Sequence, residues 1–317
     1  MDLSIVIPVY NEEENVEPLI QEVGAAIEPL GKRWEIVVVD DGSWDNTFSI
    51  LARLYRQLPE LSVVRLKRNF GQTAAIAAGL AHAEGEIVVL MDGDAQNDPA
   101  DIPALLAELE KGNDLVCGWR FKRQDPFFRR RLPSMIANRL ISSTTQVKLH
   151  DSGCTLKVMR SAVARDLKLY GEMHRFIPAI AHERGARVTE LKVNHRPRLR
   201  GKSKYGITRT LRVVLDLLTV KFLISYSTRP SHIFGIIGFM SGAAGFLIAF
   251  YLTLQKFLYD VELGDRPLLL LAVLLIFIGF QFITMGLLGE MLSRTYHESQ
   301  DKTIFVVGEV LSGRKHV

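Results

Sequence analysis

Glu86-Ile87-Val88-Val89-Leu90-Met91-Asp92-Gly93-Asp94-Ala95-Gln96 is a run of apolar, strand-forming residues that ends in two carboxylates one residue apart. It reads as a buried strand whose tip offers hard oxygen ligands. In extended chain residues i and i+2 point the same way, so Asp92 and Asp94 can converge on one cation, with Gln96 adding a neutral oxygen from that side. Such a set, with waters left over, suits Mg²⁺ or Mn²⁺, the ions that accompany diphosphates. A polar turn after a strand is the alternative reading, because Asp and Gly are common there and Asp-x-Asp is a short motif.

The preceding residues repeat one pattern. Leu3 to Tyr10 is a nearly continuous apolar run, as expected of a parallel strand covered on both faces. Asn11 is placed to cap a helix with an acidic first turn, Glu12 to Glu14, running to about Leu30. Trp34 to Val39 is a second strand that runs into Asp40-Asp41-Gly42-Ser43. A helix from about Asn46 to Leu58, a third strand over Ser62–Leu66 and a helix from Thr73 to Ala83 complete the series. Strands alternating with helices of this length predict an α/β domain with a largely parallel sheet. Ligands in such sheets collect at the carboxyl ends of the strands. Pro8 to Glu12, Asp40 to Ser43, Arg68 to Gly71 and Asp92 to Gln96 therefore belong to one rim, although Asp40 and Asp41 also fit a helix-capping role.

Composition narrows the class. The 317 residues allow one large or two ordinary domains, and the net charge of +4 fits an anionic partner without naming it. Cys117 and Cys154 read as buried reduced thiols rather than a disulfide. Met1 to Ser4 has no basic region before an apolar core, which predicts no signal peptide and a cytosolic N-terminal domain. No Gly-x-Gly-x-x-Gly follows the first strand, Gly201-Lys202-Ser203 lacks the earlier glycine of a P-loop, and His182-Glu183 has Ala186 where zinc chemistry needs a second histidine.

Ile5-Val6-Ile7-Pro8-Val9-Tyr10-Asn11, Val39-Asp40-Asp41-Gly42-Ser43, Arg68-Asn69-Phe70-Gly71-Gln72 and Met91 to Gln96 together resemble the successive motifs of the family 2 glycosyltransferases of GT-A fold. The resemblance implies a nucleotide-sugar donor, a UDP-sugar before a GDP-sugar. Pro8, Tyr10, Asn11, Glu12, Asp40, Asp41, Arg68, Gly71 and Gln72 would lie around that donor. Asp92, Asp94 and Gln96 would hold the metal and diphosphate. Gly93 stands where alanine is commoner in near relatives.

Downstream of the strand-like segment Asp114 to Trp119, Arg120, Lys122, Arg123, Arg129, Arg130 and Arg131 crowd around Phe127-Phe128, followed by Pro133-Ser134. Basic residues beside aromatics suit an interfacial anion such as a lipid phosphate, with a solvated basic loop as the alternative. Nucleic acid is disfavoured, since no stacking platform or groove helix accompanies the charge. His150 to Cys154 is a turn, and in the resembling enzymes a carboxylate at the place of Asp151 faces the reacting sugar. Arg196 to Tyr205 reads as a basic loop able to close over phosphates. His174 reads as a surface or packing residue.

Residues 206–230 have the periodicity of an amphipathic helix for the headgroup region. Residues 232–254 and 267–289 are two apolar stretches, each long enough at ~1.5 Å per residue to cross a hydrocarbon core of ~30 Å. Arg209, Arg212, Lys221 and Arg229 lie before this pair and Arg294 and Lys302 after it, while the connecting loop has Lys256 and Arg266 against Asp260, Glu262 and Asp265, a modest excess that predicts both ends in the cytosol. Gly235, Gly238, Gly242 and Gly245 recur on one face and would let helices pack closely within the hairpin or between subunits. The tail from Thr303 to Val310 looks like a lone strand in need of a partner, which another chain could supply. The expected domains are thus residues 1–205, 206–230, the hairpin 231–290 and a cytosolic tail 291–317.

This order resembles the bacterial polyprenyl-phosphate glycosyltransferases over nearly the whole chain. They include the bactoprenol glucosyltransferases and undecaprenyl-phosphate aminoarabinose transferases, with dolichol-phosphate mannose synthases more distant. Met285 to Glu290 and Ser203-Lys204-Tyr205 tilt it towards the aminoarabinose branch. The resemblance implies a homo-oligomer, a tetramer, in the bacterial inner membrane. It also implies an undecaprenyl phosphate acceptor. A phosphate dianion needs little base catalysis to attack C1 of a sugar, so the difficulty is to bring two anions together. Arg120, Arg131, Ser134 and Lys204 form the expected acceptor clamp, the metal neutralises the leaving group, and Asp151 orients the sugar or the clamp. Asp92, Asp94 and Asp151 are the expected catalytic residues, with inversion at the anomeric carbon. A processive polysaccharide synthase is a rival, but no Gln-x-x-Arg-Trp sequence is present and two spans are few for a polymer channel. A non-catalytic, membrane-anchored nucleotide-sugar-binding protein is the other.

Overall fold

The computed structural model describes residues 1–121, 149–169, 173–196, 230–259, 267–299 and 304–313. Arg131, Ser134, Lys204 and residues 206–229 of the amphipathic stretch lie outside these residues.

The chain forms two compact units, residues 1–220 with 303–317 and residues 221–302. In the first, β1 (Leu3–Val9), β2 (Trp34–Asp40), β3 (Leu61–Leu66) and β4 (Ile87–Leu90) alternate with α1 (Val16–Ile27), α2 (Thr47–Tyr55) and α3 (Gln72–His82). Then come α4 (Ile102–Glu110), β5 (Leu115–Arg120), β6 (Lys157–Arg160), α5 (Ser161–Asp166), α6 (Ile177–Glu183) and β7 (Val188–Val193). The tail supplies β8 (Val307–Leu311). These strands make one sheet in the order β7-β5-β6-β4-β1-β2-β3-β8. Only β6 and β8 run against the rest, so the carboxyl ends of β1 to β5 and β7, and the start of β6, share one rim.

Burial explains the apolar runs. All seven residues of β1 are buried, whereas β3, nearer the edge, alternates. Leu3, Ile5, Ile7 and Val9 pack in one core with Leu19, Ile20, Val23 and Ile27 of α1 and with Leu105 and Leu109 of α4. On α3 the residues Ala74, Ala75, Ala78 and Gly79 are buried, and a Cβ on Gly79 would lie 2.3 Å from the Val6 side chain. Small residues are thus what lets α3 approach the sheet and carry Gln72 to the rim. Cys117 and Cys154 are buried free thiols, and burial pushes Cys117 up to about 12.

Three expectations change. Helix α1 starts at Val16, because Asn11 adopts a left-handed φ of 51° and its side-chain oxygen accepts from the Trp44 N–H, which draws it into the loop after β2 rather than onto a helix end. The tail strand finds its partner within the chain: β8 pairs antiparallel with β3, Val310 opposite Val64. Strand β4 stops at Leu90, so Asp92 and Asp94 sit in a turn beyond it, with Ala95 at φ 57°, rather than on extended chain.

In the second unit α7 (Pro230–Tyr259) packs against α8 (Pro267–Ser299). Spans Phe234–Tyr259 and Pro267–Gly289 are long and apolar enough to cross a membrane. Phe239 and Leu270 are 73% and 75% exposed, the pattern of helices whose solvent is lipid rather than of a buried soluble core. The glycine face works within the hairpin: a Cβ on Gly238 would meet the Gly279 carbonyl oxygen at 2.7 Å, and one on Gly245 the Ala272 oxygen at 2.7 Å.

Candidate active site

Each strand end on the rim is bonded to the next. At the end of β1, the Asn11 N–H donates to Ser43 Oγ (2.9 Å) and the Glu12 N–H to Thr47 Oγ1 (2.9 Å), tying this loop to the one after β2. Glu12 Oε2 also accepts from Asn15 Nδ2 at 2.7 Å. Asp40, fully buried, accepts from the Ser43 N–H (2.9 Å) and lies 3.6 Å from Arg65 Nε.

Asp41 reaches across to the β3–α3 loop, where its two oxygens accept from the N–H groups of Phe70 (2.7 Å) and Gly71 (2.9 Å). Burial raises its carboxyl above the ordinary range and these backbone bonds oppose the rise. Gly42 has to be glycine here: its φ is 69° and a Cβ would lie 2.5 Å from the Arg68 carbonyl carbon. The Arg68 guanidinium lies over the Phe70 ring at 4.2 Å.

From that loop Gln72 Nε2 donates to Asp92 Oδ1 at 2.7 Å. The Asp92 N–H is held by Asn97 Oδ1 (3.0 Å), and Asp94 Oδ1 accepts from the Gln96 N–H (3.2 Å). The intervening Gly93 leaves no room for a side chain, since a Cβ would stand 2.9 Å from the Pro8 carbonyl oxygen. Burial, and then the charge of Asp94, push the Asp92 carboxyl up to about 6, while a hydrogen bond from Thr155 and the charges of Arg120 and Lys157 pull the other way. Crowding two carboxylates in a partly desolvated turn is the electrostatic condition that a bound cation relieves. Among the described residues no group of three or more His, Cys, Asp or Glu side chains forms a closed cage. Asp92 and Asp94 supply the carboxylates at this turn, and a Mg²⁺ or Mn²⁺ held there would keep positions for substrate phosphates. Gln96 points its amide nitrogen at the Arg196 carbonyl (3.5 Å), and Arg196 is pinned by Glu22 (2.6 Å) and Asp98 (2.8 Å).

The end of β5 brings Arg120 to the same place. Its Nε and Nη2 donate to Asp151 at 2.7 and 2.9 Å, and its backbone N–H to the same carboxylate at 3.3 Å. Burial disfavours the guanidinium charge, but this fork outweighs it and holds Arg120 protonated above its ordinary range. On the opposite face of β5, His150 stacks on Trp119 at 4.2 Å and bonds Glu190, so consecutive residues 150 and 151 grip the strand end from both sides. Thr73 Oγ1 and His174 Nδ1 share a 2.7 Å hydrogen bond, and His174 is a buried packing residue.

The rim thus gathers Pro8, Asn11, Asp40, Asp41, Gly71, Gln72, Asp92, Asp94, Arg120 and Asp151. Sequence reading did not single out Thr155, Asn97 or Lys157. All three follow or precede the motifs by a few residues, but nothing in their spacing signals a contact.

The pattern of "Glycosyl transferase family 2" matches residues 4–168, just over half the chain. The dodecaprenyl-phosphate galacturonate synthase of Rhizobium johnstonii is 46% identical over 98% of this chain and 93% of its own. The undecaprenyl-phosphate 4-deoxy-4-formamido-L-arabinose transferase of Shewanella sediminis is 38% identical over 98% and 93%. Among solved structures, glucosyl-3-phosphoglycerate synthase from Mycobacterium tuberculosis with Mn²⁺, uridine diphosphate and phosphoglyceric acid aligns with a TM-score of 0.55 at 20% identity, over 72% of this chain and 80% of that one. S. aureus TarS 1-349 with UDP-GlcNAc aligns with a TM-score of 0.51 at 18% identity, over 95% and 93%. At those identities the structures carry the fold, which is GT-A-like, and the curated relatives carry the family. A GT-A-like sheet with its carboxylates gathered on one rim, followed by two apolar helices, is how this chain is built, and it belongs to glycosyl transferase family 2 as a glycosyltransferase.

Proposed function

We propose that this enzyme transfers a sugar, with inversion, from a nucleoside diphosphate to a polyprenyl phosphate at the cytosolic face of a membrane. The observation that supports the reading is that the end of β5, with Arg120, and the turn after β4, with Asp92 and Asp94, lie on one rim of the sheet, where a guanidinium could meet an anion beside a turn that could hold a cation. The names of the two relatives, matched over nearly their full length, support a polyprenyl phosphate acceptor. The Mn²⁺ and uridine nucleotides named for structural neighbours support the donor side by analogy of fold.

In this reading the loops around Asn11, Asp40, Asp41 and Arg68 seat the nucleoside, and Gln72 orients Asp92. Asp92 and Asp94, with Gln96 beside them, would hold a divalent cation, which would supply charge neutralisation for the departing diphosphate. Arg120 receives the acceptor phosphate, and Arg131, Ser134 and Lys204 complete its clamp. Asp151 holds Arg120 in register rather than serving as a base, for its oxygens are engaged by the guanidinium. The phosphate oxygen attacks C1 opposite the leaving group. The two apolar helices hold the catalytic domain at the bilayer where the acceptor resides, with both termini in the cytosol.

The test is transfer of radiolabel from a panel of nucleotide sugars to undecaprenyl phosphate by purified protein, with Mn²⁺ or Mg²⁺ and with chelator. Metal-dependent label in the lipid extract is expected, and the panel names the sugar. Asp94→Asn retaining full turnover with normal metal dependence would overturn the metal assignment.

A further inference from the structure

Lys157 opens β6 at the rim, opposite Leu90 of β4 and Cys117 of β5, and is 2% exposed. A buried ammonium is costly unless its surroundings compensate it. Its Nζ donates to the carbonyl of Cys154, three residues back. That carbonyl belongs to a short turn: the Cys154 N–H donates to the Asp151 oxygen (3.4 Å), and the Leu156 oxygen accepts from the Gly118 N–H (2.9 Å). Two side chains on this turn face the two halves of the site. Asp151 forks onto Arg120, and Thr155 bonds Asp92. The ammonium itself lies within electrostatic reach of Asp92.

We propose that Lys157 is a positioning residue that pins the Asp151–Thr155 turn and so fixes the donor-side carboxylate Asp92 and the acceptor-side Arg120 at their working separation. The role rests on the transfer reaction proposed above. Transfer between two separately bound anions depends on their registry, and a displacement of about 1 Å costs on the order of 10²-fold in rate. Lys157 is 2% exposed and bonds the turn itself, so its removal is expected to affect how bound reactants meet rather than how well each binds.

Lys157→Met and Lys157→Arg in the full-length, reconstituted protein test this. In Lys157→Met, kcat is expected to fall ~10- to 100-fold with donor and acceptor KM within about twofold. Lys157→Arg, which keeps both the charge and the donor, is expected within about fivefold of wild type. Combined with Thr155→Val, the loss is expected to be smaller than the product of the single losses, since both act through one turn. Hydrogen–deuterium exchange reads the pin without reference to activity: segment 151–156 is expected to lose protection in Lys157→Met and regain it in Lys157→Arg. Unchanged protection, or a loss confined to KM, overturns the proposal. A Lys157→Met protein that does not fold leaves Lys157→Arg to decide, and loss of turnover there with protection intact overturns it too. Wild-type protein inactive with every donor would fell the transfer reaction alone, while the exchange result would still stand or fall separately.

Discussion

The Arg120 guanidinium and the Asp151 carboxylate meet in a two-bond fork of 2.7 and 2.9 Å, with Asp151 3% exposed. Removing one partner of such a buried pair leaves the other charge uncompensated, which costs ~3–5 kcal/mol. Asp151→Ala is expected to lower both thermal stability and turnover. Asp151→Asn, which keeps the shape but not the charge, is expected to reduce kcat/KM for the lipid acceptor ~10- to 100-fold and to leave donor KM unchanged. Steady-state kinetics with each substrate varied distinguishes this from a donor-side effect.

Asp92 carries the pH dependence. Its carboxyl is raised from 3.8 to about 6 in the folded protein. Between those values the folded state retains a proton that the unfolded chain has released, so this group's contribution to stability declines as pH rises through the window. Cation binding needs the ionised form. Affinity for Mn²⁺ is therefore expected to fall by up to tenfold per pH unit below about 6 and to level off above about 7. Mn²⁺ titration followed by thermal unfolding at pH 5 to 7.5 measures both, and a flat affinity profile would refute the assignment of Asp92 as a ligand.

Gly42→Ala forces an L-residue into φ 69° and pushes a methyl group to 2.5 Å from the Arg68 backbone. A strain of ~1–3 kcal/mol is expected, seen as a fall in melting temperature on the order of 5 °C. Because Arg68 begins the loop that Asp41 braces, nucleotide affinity should weaken alongside, read by calorimetry with a nucleoside diphosphate.

In the apolar hairpin, Gly238→Leu would place a side chain against the Gly279 carbonyl and Ile283, where even a Cβ stands 2.7 and 2.8 Å away. The two helices are expected to separate, lowering the melting temperature in detergent and raising the accessibility of a cysteine introduced at position 279. Gly235→Leu, whose Cβ would meet nothing within 4 Å, is the control and is expected to behave as wild type.

The four polar clusters at the rim were legible because each follows its own apolar strand directly, and strand and loop are written side by side in the chain. Cys117 and Cys154 were readable as buried reduced thiols because they lie in segments that read as strand or strand-adjacent. Asn11 misled because capping chemistry is shared by helix ends and loops, and only the Trp44 N–H, 33 positions away, chose between them. The tail was correctly read as a strand, but an edge strand's partner is a matter of sheet order, and β3 lies more than two hundred residues upstream of it.

The sequence by itself determined the α/β class, the rim at the strand ends, the pair of carboxylates Asp92 and Asp94 after the fourth strand and the two apolar helices, because hydrophobic period, charge and glycine placement are properties of neighbouring residues. Only the tertiary structure decided that Asp151 spends its charge on Arg120, that Gln72 and Thr155 both hold Asp92, and that Lys157 is buried beneath their turn. The contacts of Asp151, Thr155 and Lys157 depend on inserting the antiparallel β6 between β4 and β5. A pairing of that kind is set by the packing of the whole sheet and leaves no periodic mark on the chain.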